Sequence, residues 1–197
     1  MAHDRDDEVE VDHENPADAL YKPPAQKSMM EILACDEGDE SLQRYKEKLL
    51  GSAIDSVIVD PSDPKTVLLR ELSLVVEGRP DVVQDLTDSK RLEETNFKIK
   101  EGVQYRLRFK FYVQREMVTG LRYSHRVTKM GVPVINEHLM VGSYGPKHEL
   151  IVYITPPEEA PSGMLARGKY KVHSKFTDDY KNVFAKWQWT LEIAKDW

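Results

Sequence analysis

The sequence predicts an all-β fold, an antiparallel β-sandwich, preceded by a flexible N-terminal arm with two short helices. Three observations carry that expectation. From about Val57 onward, apolar residues recur with a period of two. Gly- and Pro-containing turn signals separate these runs. Before Val57 the chain is acidic, then proline-rich, then helical in period.

The first segment is set apart by charge. Residues 1–20 hold Asp4, Asp6, Asp7, Glu8, Glu10, Asp12, Glu14 and Asp18 against Arg5 alone. The chain as a whole has a formal charge of −6, so the acidity is concentrated there. Such a run is expected to be solvated and disordered, or to meet a basic partner. Overall acidity argues against nucleic acid, which calls for a basic stripe. Tyr21–Lys27 carries Pro23-Pro24, which favours extended backbone. Ser28-x-x-Glu31 is a capping box that starts a short helix, and Gly38 interrupts it. Glu40–Leu50 reads as a second helix, with Leu42, Tyr45 and Leu49 on one stripe and Gly51 beyond its end. Helices this short are marginal alone, so their apolar stripes need a surface on this chain or on another protein. Residues 1–55 are therefore assigned to a regulatory arm, with a helix-turn-helix over 28–50, and residues 56–197 to the sandwich.

Among the strands, Val103–Val113 is the clearest. Val103, Tyr105, Leu107, Phe109, Phe111 and Val113 share one face, with Gln104, Arg106, Arg108, Lys110 and Tyr112 on the other. Lys169–Phe176 puts Tyr170, Val172 and Phe176 inward, and the last strand does the same with Trp187, Trp189, Leu191 and Ile193. Shorter candidates are Leu72/Leu74/Val76, Phe97/Ile99, Leu121/Tyr123/Val127 and Leu150/Val152/Ile154. Strict alternation with one polar face indicates antiparallel sheets packed face to face.

Catalytic chemistry has no visible support. No Gly-x-Ser-x-Gly elbow or phosphate-loop motif occurs, and no histidine pairs with Cys35 or another histidine at metal-ligand spacing. Gly142–Pro146 resembles a phosphate cradle but lacks a following helix, so a tight inter-strand turn is the better reading. No metal or cofactor is expected. A single cysteine fits a reducing compartment, and no apolar stretch approaches membrane-spanning length. The expectation is a cytoplasmic protein that is not an enzyme and does not insert into membranes.

Several motifs, in order, carry a family resemblance. They are Tyr21-Lys-Pro-Pro-Ala-Gln-Lys-Ser28, Asp39-Glu-Ser-Leu42, Met140-Val-Gly-Ser-Tyr-Gly-Pro146, Gly163-Met-Leu-Ala-Arg-Gly168 and Trp187-x-Trp189. From about Tyr21 to Trp197 the chain closely resembles the Rho GDP-dissociation inhibitors. The resemblance implies an immunoglobulin-like sandwich that holds a geranylgeranyl chain between its sheets. It also implies an arm that wraps the switch regions of a Rho, Rac or Cdc42-type GTPase, mainly GDP-bound, in a 1:1 heterodimer. On that basis Asp39 and Ser41 would bond the first switch segment, while Leu42, Tyr45, Leu49 and Leu50 press on the adjoining surface. The lipid pocket would be lined by Leu72, Leu74, Phe97, Tyr105, Met117, Val172 and Trp189, which pattern alone reads as ordinary core. Glu158, Glu159, Asp178 and Asp179 would form an acidic rim for the basic stretch before the lipidated cysteine; pattern alone reads them as solvated surface. The alternative is a general prenyl-protein shuttle on a related sandwich.

Two departures from the family pattern stand out. Val132–His138 replaces a loop that is often Lys/Asp-rich in the family, so an acidic contact expected near Ile135 is missing, with Glu137 as the nearby substitute. Asn96 and Lys169 stand where some relatives have serines, whereas Ser28 remains available for phosphorylation.

Overall fold

The computed structural model describes residues 31, 40, 41, 44, 57–87 and 96–197. Glu31, Glu40, Ser41 and Arg44 are helical and exposed, with Arg44 3.9 Å from Glu40 one turn earlier. The rest of the predicted 28–50 helix-turn-helix, and the acidic run before it, lie outside the described residues.

Among the described residues ten strands follow: β1 (Val67–Val76), β2 (Val82–Asp85), β3 (Asn96–Lys100), β4 (Gln104–Val113), β5 (Val118–Lys129), β6 (Val132–Tyr144), β7 (Lys147–Ile154), β8 (Glu158–Glu159), β9 (Gly168–Thr177) and β10 (Val183–Ala194). One sheet has the order β2-β1-β4-β7, with β8 also paired to β4; the other is β3-β10-β9-β5-β6. Every pairing among the described residues is antiparallel except β3 with β10, which is parallel. The chain is a β-sandwich, as the alternation predicts.

The core lies between the sheets and is built from the alternating residues. From β4 come Tyr105, Leu107, Phe109, Phe111 and Val113, and from β1 come Leu72 and Leu74. Phe176, Tyr123 and Trp187 of the facing sheet surround Phe109, with ring centroids 5.1, 4.5 and 6.3 Å away. β1 shows how register is kept. Val67 and Leu72 are both buried although five residues apart, an odd interval that should place them on opposite faces. A bulge between Leu69 and Glu71 absorbs the extra residue and returns the apolar set to the core.

Two strands differ from the sequence reading. In β7 the inward residues are Ile151 and Tyr153, paired with Phe111 and Phe109, while Leu150, Val152 and Ile154 are exposed. The predicted phase was off by one because all five positions from Leu150 to Ile154 are apolar. The second difference is β6, which takes up Val132–His138, read as a loop, and runs on through Gly142 to Tyr144. Its hairpin with β5 closes through Met130 and Gly131, both at positive φ (50° and 80°), with Lys129 paired to Val132. Two consecutive left-handed residues make the tight turn whose twist matches a hairpin, and Met130 is an unusual residue to accept that conformation. The short strands β2 and β8, of 4 and 2 residues, are too brief to show a period in the sequence.

Gln114 fastens the lead-in segment to the sandwich. Its side chain is fully buried, and its Oε1 accepts from the Val59 and Asp60 amides at 3.0 and 2.9 Å. Its Nε2 donates to the carbonyls of Asp63 and Lys65, both at 2.8 Å. All four bonding positions of the amide are used.

Candidate functional site

The apolar residues named from sequence converge inside the sandwich. Leu72, Leu74, Phe97, Tyr105, Val172 and Trp189 are buried in one continuous cluster. Trp189 on β10 pairs in register with Val172 on β9, and its ring meets Phe97 edge-on at 5.4 Å. Leu74 and Val76 also floor a groove of about 510 Å³ beside the edge strands β2 and β3, bordered by Val82, Val83, Lys98 and Trp197. At its margin the Arg79 guanidinium lies 3.9 Å from the centre of the Trp197 ring. The groove therefore reaches from the surface to a core residue, and a cation stacked on an aromatic face stands beside it. Met117 sits apart from the cluster, half-buried in the turn between β4 and β5. The whole of β4 separates it from Tyr105, so the named set is spread along the length of the sandwich.

Polar groups interrupt this interior at defined points. The Trp189 indole N–H donates to Ser174 Oγ at 2.9 Å, and the Tyr123 hydroxyl meets the same oxygen at 2.9 Å. Burial pushes the Tyr123 phenol above its ordinary range, against the opposing hydrogen bond from Ser174. Tyr105 donates to Glu158 Oε2 at 2.7 Å; burial first, and then the Glu158 charge, push its phenol up as well. Both tyrosines act only as neutral hydrogen-bonding groups. His125 lies beside them, buried and stacked on Tyr123 at 5.3 Å, and burial holds its imidazole below the usual range. Ser174, Tyr123 and His125 were not singled out from sequence as site residues. The signal was present for two of them. Ser174 breaks the inward series Tyr170, Val172, Phe176, and His125 breaks the series Leu121, Tyr123, Val127.

The four acidic residues do not stand as equals. Asp178 is buried and committed to the β9–β10 turn: Oδ1 accepts from the Tyr180 and Asn182 amides at 3.0 and 2.9 Å, and Oδ2 from the Asn182 side chain at 2.8 Å. Asp179 pairs with Arg122 at 3.1 Å, and its carboxylate occupies the space where a Cβ on Gly120 would lie. Glu158 is turned toward the interior by Tyr105, and Glu159 is exposed beside Gln104. The two pairs lie in different places. Glu158 stands near His125, whereas Asp178 follows Thr177, which pairs three residues further along β5 at Arg122.

Of the arm residues, Ser41 is helical and exposed, while Asp39, Leu42, Tyr45, Leu49 and Leu50 lie outside the described residues. Asn96 opens β3, opposite Thr190, and Lys169 is exposed on β9, opposite Glu192. Ser143, inside the suspected cradle, accepts from the Gly120 amide at 3.0 Å and serves the strand pairing. Among the described residues, no helix is long and apolar enough to cross a membrane.

Comparison with known proteins adds an independent finding. A family model described as RHO protein GDP dissociation inhibitor matches residues 3–196. A probable rho GDP-dissociation inhibitor of Caenorhabditis elegans is 50% identical over 185 residues, covering 93% of this chain and 96% of the relative. Rho GDP-dissociation inhibitor 1 of Homo sapiens is 47% identical over 179 residues, covering 90% of this chain and 86% of the relative. Rho GDP-dissociation inhibitor 3 of Homo sapiens is 44% identical over 179 residues, covering 90% and 78%.

Proposed function

The chain belongs to the family of RHO protein GDP dissociation inhibitors, and we propose that it acts in two parts, a sandwich that holds a lipid and an arm that holds a GTPase. Its function is that of a Rho GDP-dissociation inhibitor, a regulator of Rho-family GTPases and not an enzyme.

The observation that carries the lipid half is the apolar interior around Trp189 and Phe97, with a groove opening on Leu74 of the same core. In this reading a geranylgeranyl chain lies between the sheets along Leu72, Leu74, Phe97, Tyr105, Val172 and Trp189, with Met117 toward the far end. The sheets part enough to admit it, and Ser174 holds the Trp189 indole in place as they do. Burying each isoprenoid carbon is worth roughly 0.8 kcal/mol, so a twenty-carbon chain gains on the order of 10 kcal/mol or more. A bilayer supplies the same gain. Extraction therefore depends on contacts the membrane does not make.

Residues 1–55 supply those contacts in this reading. Asp39 and Ser41 bond the first switch segment, and Leu42, Tyr45, Leu49 and Leu50 cover the adjoining surface. Holding the switch segments in their GDP-bound arrangement would block nucleotide release and effector access. Each basic residue of the GTPase tail that leaves an anionic leaflet forfeits about 1 kcal/mol. Of the acidic residues, Glu159 is the exposed one available to offset that loss, with Asp179 able to share its charge between Arg122 and the tail. Asp178 contributes by shaping the turn. The complex is a 1:1 heterodimer in the cytoplasm.

The test is extraction from liposomes. Purified protein mixed with membrane-bound, geranylgeranylated, GDP-loaded Rho-family GTPase should carry the GTPase into the supernatant. Retention of the GTPase on the vesicles at saturating protein would overturn the mechanism.

A further inference from the structure

One polar cluster in the sandwich has bonding capacity that nothing among the described residues uses. His125 comes from β5 and is 3% exposed. Glu137 stands opposite it in register on β6, and Glu158 reaches in from β8 of the facing sheet. One ring nitrogen of His125 and one carboxylate oxygen each of Glu137 and Glu158 lie within 4.8 Å of one another. His125 Nδ1 and Glu158 Oε1 are both buried and have no hydrogen-bond partner among the described residues. Leaving either group unmet in the interior costs about 1–3 kcal/mol. Two such groups, on residues that converge on one small space, suggest that a third body satisfies both.

The chemistry of the three groups favours a cation as that third body. Two carboxylates and a neutral imidazole together carry −2, which matches one divalent ion. Among the described residues, neither Glu137 nor Glu158 has a Lys or Arg at ion-pair distance. Burial favours the neutral imidazole against the pull of the two carboxylates, and neutral imidazole is the ligating form. Zinc-class ions bind imidazole nitrogen and carboxylate oxygen at about 2.0–2.2 Å, which sets ligand atoms about 3.4 Å apart around a tetrahedron. The ligand atoms, within 4.8 Å of one another, must close by at most about 1.4 Å to reach that figure. Glu158 is already oriented, because its Oε2 accepts from the Tyr105 hydroxyl at 2.7 Å. A hydrogen bond behind a ligating carboxylate is the usual way a protein aims such a group.

We propose that His125, Glu137 and Glu158 bind one zinc-class divalent ion, with the fourth position left to water. The ion would clip β5 and β6 of one sheet to β8 of the other at the end where Tyr105 lines the apolar interior. Nothing in the inhibitor function requires it, so the site stands or falls separately from the lipid pocket.

The experiment is a titration of the whole chain, first stripped with chelator, with Zn²⁺. Binding is followed by calorimetry and by the imidazole NMR signals of the six histidines. The expected result is one ion whose binding shifts the His125 signals. Affinity should fall at least tenfold in His125→Gln and in Glu137→Gln, and should be unchanged in a His3→Gln/His13→Gln control. Should either site variant fail to fold, the His125 signals of the unaltered chain decide the question. His125 signals that stay put at saturating Zn²⁺, or site variants that bind as tightly as the parent, would overturn the proposal and leave a bridging water in the cluster.

Discussion

The indole N–H of Trp189 and the hydroxyl of Tyr123 share a single partner, Ser174 Oγ, at 2.9 Å each. One small side chain on β9 thus fixes the orientation of two large ones on β10 and β5. Ser174→Ala removes that oxygen and leaves the buried indole N–H and phenol hydroxyl without their partner, so stability should fall by about 1–3 kcal/mol in urea unfolding. The freed indole should also bind a fluorescent prenyl peptide less tightly. Unchanged stability together with unchanged peptide affinity would refute the organising role of Ser174.

Arm and pocket should fail in different ways. Trp189→Ala empties a large buried volume, with an expected loss of about 3–5 kcal/mol in stability and weaker uptake of prenyl peptide. Asp39→Ala should leave the melting curve and peptide uptake intact while weakening inhibition of GDP release and extraction from liposomes. Deleting residues 1–55 should have the same signature in stronger form. A deletion that still extracts the GTPase at full strength would favour the general prenyl-protein shuttle.

His125 makes a pH-dependent contribution whose sign follows from its surroundings. Burial lowers its folded-state pKa below 6.5, with the neighbouring Glu158 and Glu137 charges opposing that shift and His138 adding to it. Tyr105, Tyr123 and Ser174 face it as neutral groups. As pH drops through 6.5 the unfolded chain takes up a proton that the folded chain refuses, so stability falls. The loss ends once the folded pKa is passed, and above about pH 7 the contribution is fully present. Urea midpoints measured with chelator between pH 7.5 and 5 should therefore decline more steeply for the parent than for His125→Gln.

Gln114 is the point where the lead-in segment meets the sandwich. Gln114→Ala leaves two amides and two carbonyls without their partner, some of them open to water, so a loss of about 2–3 kcal/mol is expected. Limited proteolysis should then cut between residues 57 and 66 sooner than in the parent. Equal protection of that segment would show that Gln114 is not its anchor.

Where side chains alternate cleanly, the fold was legible. The faces of β4, β9 and β10 follow directly from Tyr105–Val113, Tyr170–Phe176 and Trp187–Ile193. Where every position is apolar, as at Leu150–Ile154, periodicity has no phase to report, and contact with Phe109 and Phe111 decided it. The hairpin at Met130-Gly131 lacks the Asn or Asp that usually marks such a turn, so the sequence gives no turn signal ahead of β6. The apolar part of the candidate site was visible as inward positions, and the family resemblance supplied its meaning. Its polar part was hidden because Glu158 and His125 meet only across the gap between sheets, a contact that no spacing along the chain encodes.

The parallel pairing of β3 with β10 also bears on how this protein comes to be folded. Among the described residues, β3 pairs with no strand but the last of the sandwich, and β9 also depends on that strand for one of its two neighbours. During synthesis, then, Asn96–Lys100 lacks this partner until Val183–Ala194 has left the ribosome. Contacts this distant in sequence make folding slow, and the waiting edge is open to wrong pairings. Refolding should accordingly show a late step in which Phe97 quenches or shifts Trp189 fluorescence, as the last strand closes over the first to need it.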